Sequence, residues 1–124
     1  MQKFYRCNLC GNLIGMVHDS EVVPVCCGEP MQELIANTTD AANEKHVPVI
    51  EVDGSRVKVT VGSVLHPMIE AHHIAWIYLL TKQGGYLKYL HVEQEPIAYF
   101  CIENDEVVAA FEYCNLHGLW KSEV

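Results

Sequence analysis

Four of the six cysteines in this chain fall within its first 27 residues, as Cys7, Cys10, Cys26 and Cys27. The stretch that carries them reads RCNLCGNLIGMVHDSEVVPVCCGEPM. A segment of about 35 residues is too short to fold on its own hydrophobic core, so it needs a cross-link. The N-terminus, MQKFYRCNLC, has neither the apolar stretch nor the cleavage site of a secretory signal, which leads us to expect a cytoplasmic protein. Thiols stay reduced there, which favours a metal over disulfides. Each cysteine arm ends in glycine, Gly11 and Gly28. Glycine lets the backbone turn tightly enough for N–H groups to point at the sulfurs. Four thiolates suit tetrahedral zinc or a single iron, and the spacing leaves the two open. The adjacent pair Cys26–Cys27 has no spacer and must splay apart, which predicts angles distorted from the tetrahedral ideal.

After Met31 the chain continues QELIANTTDAANEKHVP. The small, polar, aperiodic stretch from Asn37 to Asn43 reads as a linker. We therefore expect one domain over residues 1–36 and a second over 37–124. The second is β-patterned. VPVIEV and SRVKVTVG flank an Asp53-Gly54 turn, a strong hairpin signal. HHIAWIYLLT reads as a strand followed by a turn at KQGG, and YLKYLHV alternates. IAYFCI and VVAAFEYC flank ENDE and read as another hairpin. About seven short strands and no convincing helix predict an all-β protein whose second domain is an antiparallel sandwich.

The remaining metal-binding residue types are scattered through those strands and loops. Cys114 and His117 stand three apart in YCNLHGLW, His66 and His72 frame HPMIEAH, and His46 stands at the start of the domain's first strand. Ligands on strand ends and loops can converge at one end of a sandwich. Four imidazoles and one thiolate make five ligands, more than a structural zinc takes but within the reach of iron. A thiolate trans to an open position pushes electron density onto the metal. We expect His18, His73 and His91 to be ordinary polar residues, because a single histidine on a strand is more often that than a ligand. Cys101, in an alternating strand, is expected to be a buried free thiol.

Taken together, CNLC…CCGEPM, EKHVPVIEV, GSVLHPMIEAHHIAWI and EYCNLHGLW resemble, in order and spacing, the motifs of desulfoferrodoxin, the two-iron class of superoxide reductase. The resemblance covers nearly the whole chain. It implies a small rubredoxin-like iron domain with Cys7, Cys10, Cys26 and Cys27 as ligands, followed by an immunoglobulin-like β-sandwich. In that sandwich His46, His66, His72 and His117 would be equatorial ligands of a second iron and Cys114 the axial one. The implied cofactors are two iron ions per chain, with zinc an alternative in the N-terminal site. The implied activity is one-electron reduction of superoxide to hydrogen peroxide without release of dioxygen. Electrons would come from rubredoxin or a similar donor, and the chain would be a homodimer. The family's Glu-Lys pair before the first histidine corresponds to Glu44 and Lys45. Lys45 would attract superoxide and help deliver protons, and Glu44 would approach the open position in the oxidised resting state.

Charge bears on these expectations. With 16 acidic and 8 basic residues the formal net charge is −8, which disfavours nucleic acid as a partner. No apolar run is long enough for a transmembrane helix, so no membrane partner is expected. An acidic chain is an awkward host for an anion, and a local cation such as Lys45 answers that difficulty. A blue-copper domain would need a weak axial methionine, and no methionine follows His117. A zinc-bound interaction module would leave the histidines incidental, and a 2-His-1-carboxylate site would leave Cys114 without a role.

Overall fold

In the computed structural model, which describes residues 1–124, the chain divides into two units, Met1–Ile35 and Ala36–Val124. The first contains five very short strands: β1 (Phe4–Arg6), β2 (Leu13–Gly15), β3 (Val25–Cys26), β4 (Glu29–Pro30) and β5 (Gln32–Glu33). Strands β2, β1 and β5 form one antiparallel sheet in that order, and β3 pairs with β4. The β3–β4 hairpin turns on Cys27 and Gly28, whose φ values of 53° and 74° are both left-handed. That is the two-residue turn whose twist matches its flanking strands. The adjacent cysteines therefore lie in different backbone states, one closing a strand and the other inside the turn. Tyr5, Cys7 and Met31 are the buried centre of this unit, with Ile14, Met16 and Cys26 packed against them.

The second unit begins with a single helical turn, α1 (Asn43–His46), and continues with seven strands. These are β6 (Pro48–Asp53), β7 (Arg56–Val61), β8 (Ile74–Thr81), β9 (Gly84–Tyr89), β10 (Ile97–Cys101), β11 (Val107–Cys114) and β12 (Gly118–Glu123). They form two antiparallel sheets, β10-β7-β6 and β12-β11-β8-β9. The first, second and fifth strands of the sandwich oppose the third, fourth, sixth and seventh, which is an immunoglobulin-like partition. Alternation along the strands builds the core. Val57, Val59 and Val61 of β7 meet Ile77 and Leu79 of β8, Ala98 and Phe100 of β10, and Ala110 of β11. Each large apolar side chain fully buried this way contributes about 1.5–3 kcal/mol.

The structure corrects three expectations. β10 and β11 do not form a hairpin across ENDE, because β10 pairs with β7 and β11 pairs with β8. Asp105 helps to steer the crossing: its carboxylate accepts from the backbone N–H groups of Gln83 and Glu106, and Lys82 N–H donates to the Glu106 carbonyl. These bonds draw the connection to the β8–β9 turn of the opposite sheet. Cys101 is exposed rather than buried, since the inward positions of β10 are taken by Ala98 and Phe100. His46 ends the helical turn α1 instead of starting a strand, and β6 begins at Pro48.

Candidate metal centres

In the first unit the Sγ atoms of Cys7, Cys10, Cys26 and Cys27 all lie within 4.8 Å of one another. Cys10 and Cys26 are 3.6 Å apart and Cys26 and Cys27 are 4.0 Å apart. Metal–sulfur bonds of about 2.3 Å at tetrahedral angles require sulfurs about 3.8 Å apart, so the cluster fits a four-coordinate ion. The Cys10 N–H donates to the Cys7 sulfur at 3.5 Å, and Gly11, at φ 82°, completes the turn that aims it there. That donor, together with the Leu9 N–H, holds the Cys7 thiol down to about 6. Cys27 is pushed the other way, to about 12, first by its contact with Cys10 and then by those with Cys7 and Cys26. Four thiols this close cannot all ionise alone, and a dication removes the conflict.

The second cluster gathers residues from far apart in sequence. Ligand atoms of His46, His72, Cys114 and His117 lie within 4.8 Å of one another. His66 adjoins them, with its Nε2 atom 3.5 Å from the Cys114 sulfur. The four rings follow one another in a circle. Centroids are 4.7 Å apart for His46–His66, 4.4 Å for His66–His72, 5.1 Å for His72–His117 and 4.9 Å for His117–His46. Neighbouring rings are nearly perpendicular, at 74° to 84°. His46 and His72 are 6.4 Å apart, close to the diagonal of about 6.8 Å of a square with these sides. The histidines thus occupy the corners of a near-square, and the Cys114 sulfur lies 3.5 Å from His66 Nε2 and 3.9 Å from His117 Nδ1.

Hydrogen bonds decide which nitrogen each ring presents. His46 Nδ1 donates to the Ala42 carbonyl and His66 Nδ1 to the Pro67 carbonyl, both at 2.7 Å. Their Nε2 lone pairs are left facing the centre, as metal-binding histidines require. His117 instead turns Nδ1 inward, 3.1 Å from His46 Nε2. His72 Nε2 is buried with no hydrogen-bond partner, an orphan that a bound ion satisfies. Burial pushes the His66 imidazole down to about 4 and also lowers His46 and His72, so the rings are neutral near pH 7. Burial raises the Cys114 thiol, opposed by the backbone N–H groups of Leu116 and His117. Neutral imidazoles beside a thiol aimed at the same point form a donor set that fits iron.

Local sequence explains the convergence. α1 packs on the end of β7 because position 62 is glycine: a Cβ there would stand 2.7 Å from the Glu44 carbonyl oxygen. That carbonyl instead accepts from Val64 N–H at 2.9 Å, tying the His46 turn to the loop that leads to His66. Glu44 and Lys45 are exposed on α1. Burial is the main cause of the lowered His46 and His72 values, and the Lys45 charge adds to both. Of the remaining histidines, His18, His73 and His91 are exposed or partly so and outside both clusters. Two contributors escaped the sequence reading. Trp120 stacks on His46 at 4.8 Å, and its indole N–H donates to the His117 carbonyl at 3.1 Å. Glu112 is fully buried two residues before Cys114 with neither oxygen partnered, and burial pushes its carboxyl well up, so it is held neutral. The tryptophan of YCNLHGLW was visible as a motif residue, but nothing in the sequence shows where its ring lies.

No helix is long and apolar enough to cross a membrane. Residues 1–34 match the family model described as the desulfoferrodoxin N-terminal domain, and residues 38–123 match the model described as desulfoferrodoxin. The chain is 51% identical over 121 residues to the desulfoferrodoxin of Nitratidesulfovibrio vulgaris, covering 98% of this chain and 95% of that one. Its structure is similar to the crystal structure of the superoxide reductase from Treponema pallidum, with TM-score 0.84, 42% identity and 99% of both chains covered. A one-iron superoxide reductase from Giardia intestinalis covers 65% of this chain and 97% of its own, with TM-score 0.55 and 32% identity. The four-cysteine set and the histidine–cysteine set match two iron centres, and the chain belongs to the desulfoferrodoxin family.

Proposed function

We propose that this chain is a superoxide reductase, which takes superoxide, one electron and two protons to hydrogen peroxide. The observation that carries the reading is the near-square of four imidazoles with one cysteine sulfur beside them. Residues 1–36 form the four-cysteine iron domain and 37–124 the catalytic one. His46, His66, His72, His117 and Cys114 would hold an iron ion, which when bound would supply one-electron redox chemistry beside the substrate. The chain's own residues govern access and protons. Lys45 draws the anion to an otherwise acidic surface and passes protons through water. Glu44 covers the open face between turnovers. The Cys114 thiolate, accepting from the Leu116 and His117 N–H groups, would give the iron its one negatively charged ligand. A small rubredoxin-type protein returns the electron, and the chain works as a homodimer in the cytoplasm. The dimer is checked by sedimentation equilibrium.

The test is the visible spectrum of anaerobically purified protein before and after a mild oxidant, beside Cys114→Ser. A band that appears on oxidation and is lost in the variant is expected. Pulse radiolysis of Lys45→Ala should then show slower reaction with superoxide and a weaker dependence on ionic strength. A protein that stays colourless and carries only zinc after growth in iron overturns the reading.

A further inference from the structure

The four histidines are not held in the same way. His46 and His66 are fixed through their own rings, by bonds to Ala42 and Pro67. The His72 ring has no such bond, and its Nε2 is without a partner. Its position must be set through its backbone, which belongs to a tight turn: Ile69 and His72 exchange both backbone hydrogen bonds at 3.1 Å. The His73 ring N–H is shared between the Ile69 and Glu70 carbonyls, so the turn is closed on itself.

This turn meets the rest of the site at Asn115. The β8–β11 ladder becomes irregular between Tyr113 and Cys114, and its last pair is Cys114 with Ile74. Beyond that point Asn115 takes over. Its backbone N–H donates to the His73 carbonyl at 3.1 Å. Its side-chain Oδ1 accepts from His73 N–H at 2.8 Å, and its Nδ2 donates to the Ala71 carbonyl at 3.0 Å. A side-chain amide has the donor and acceptor of a peptide group, so it can continue a ladder where the backbone has turned away. The two side-chain bonds grip the residues on either side of His72.

We infer that Asn115 is a positioning residue for the second metal centre: it clamps the Ala71–His73 backbone to the strand that carries Cys114 and so sets the distance between His72 and the sulfur. Asn115 touches no reacting atom. The inference rests on the two-iron reading above and deepens it. Removing a partner that orients a ligand typically lowers metal affinity by about 10–100-fold.

The test uses full-length protein in four forms: Asn115→Ala, Asn115→Asp, His72→Ala and the double variant Asn115→Ala/His72→Ala. Iron retention by the second site against a chelator and the electron paramagnetic resonance of the oxidised centre are read in each. Asn115→Ala should weaken iron retention by about 10–100-fold and shift the resonance toward that of His72→Ala, with the four-cysteine spectrum unchanged. Asn115→Asp keeps the acceptor for His73 N–H and should recover part of the loss. In the His72→Ala background, Asn115→Ala should add almost nothing, because both act through one ligand. Wild-type retention and resonance from Asn115→Ala overturn the clamp. So does an Asn115→Ala effect of equal size with and without His72, which assigns the residue to general loop stability. Either result leaves the wild-type spectrum, and with it the superoxide reductase reading, intact.

Discussion

The N-terminal unit buries Tyr5, Cys7 and Met31 at its centre, whereas the sandwich encloses a cluster of thirteen buried residues between two sheets. One of those three residues, Cys7, is itself a proposed ligand, so the unit's core and its metal site overlap. In the sandwich the core stands behind the site, and Cys114 is the one ligand that belongs to the cluster. The first unit thus needs its ion in order to be a fold, while the second has a fold with which to shape a site. The chemistry follows this division. Thiolates on a short chain make a closed cage, and a rigid scaffold can bring together four histidines and a cysteine drawn from far apart in sequence.

Removing metal gives the largest contrast. Anaerobic treatment with a strong chelator is expected to abolish amide-exchange protection at Tyr5, Cys7 and Met16, while Val57, Ile77 and Ala110 stay protected. Simultaneous loss in both units would break the comparison. A cavity in the sandwich probes the other side. Ile77→Ala should cost the second unit about 2–5 kcal/mol in denaturant unfolding and leave the visible spectrum of the four-cysteine site unchanged. The smallest effect concerns pH. His66 is held at about 4 in the fold against an ordinary value of 6.5, so the unfolded chain binds the extra proton. In metal-free protein this contribution to stability is intact above pH 6.5 and is lost as pH falls from there towards 4. Urea midpoints of metal-free His66→Gln should show a weaker decline over that window.

The ligand types were legible because each sits in a compact motif, and the strand runs were legible because their alternation is strong. Their partners were harder to read. IAYFCI and VVAAFEYC look like neighbours because only four residues separate them, yet the Asp105 bonds carry the chain to the other sheet. Alternation alone could not place Cys101, because it gives a period and not its phase, and Ala98 and Phe100 took the inner positions. Which nitrogen each imidazole presents was not legible at all. It depends on carbonyls such as Ala42 and Pro67, and a carbonyl has no letter in a sequence. Asn115 was hidden for a related reason: in CNLHG it reads as a turn-former, and its bonds go to backbone more than forty positions away.

The corner at Cys27 and Gly28 has a consequence for how the N-terminal unit tolerates change in length. Those two residues are the whole connection between Val25–Cys26 and Glu29–Pro30. A residue inserted between Cys26 and Cys27 would slide the pairing of Cys26 with Glu29 and swing one sulfur out of the cage. The same insertion in the stretch from His18 to Val23, outside any strand, disturbs neither. The spacing between the two cysteine arms is therefore free to drift in length, while the doublet itself is locked.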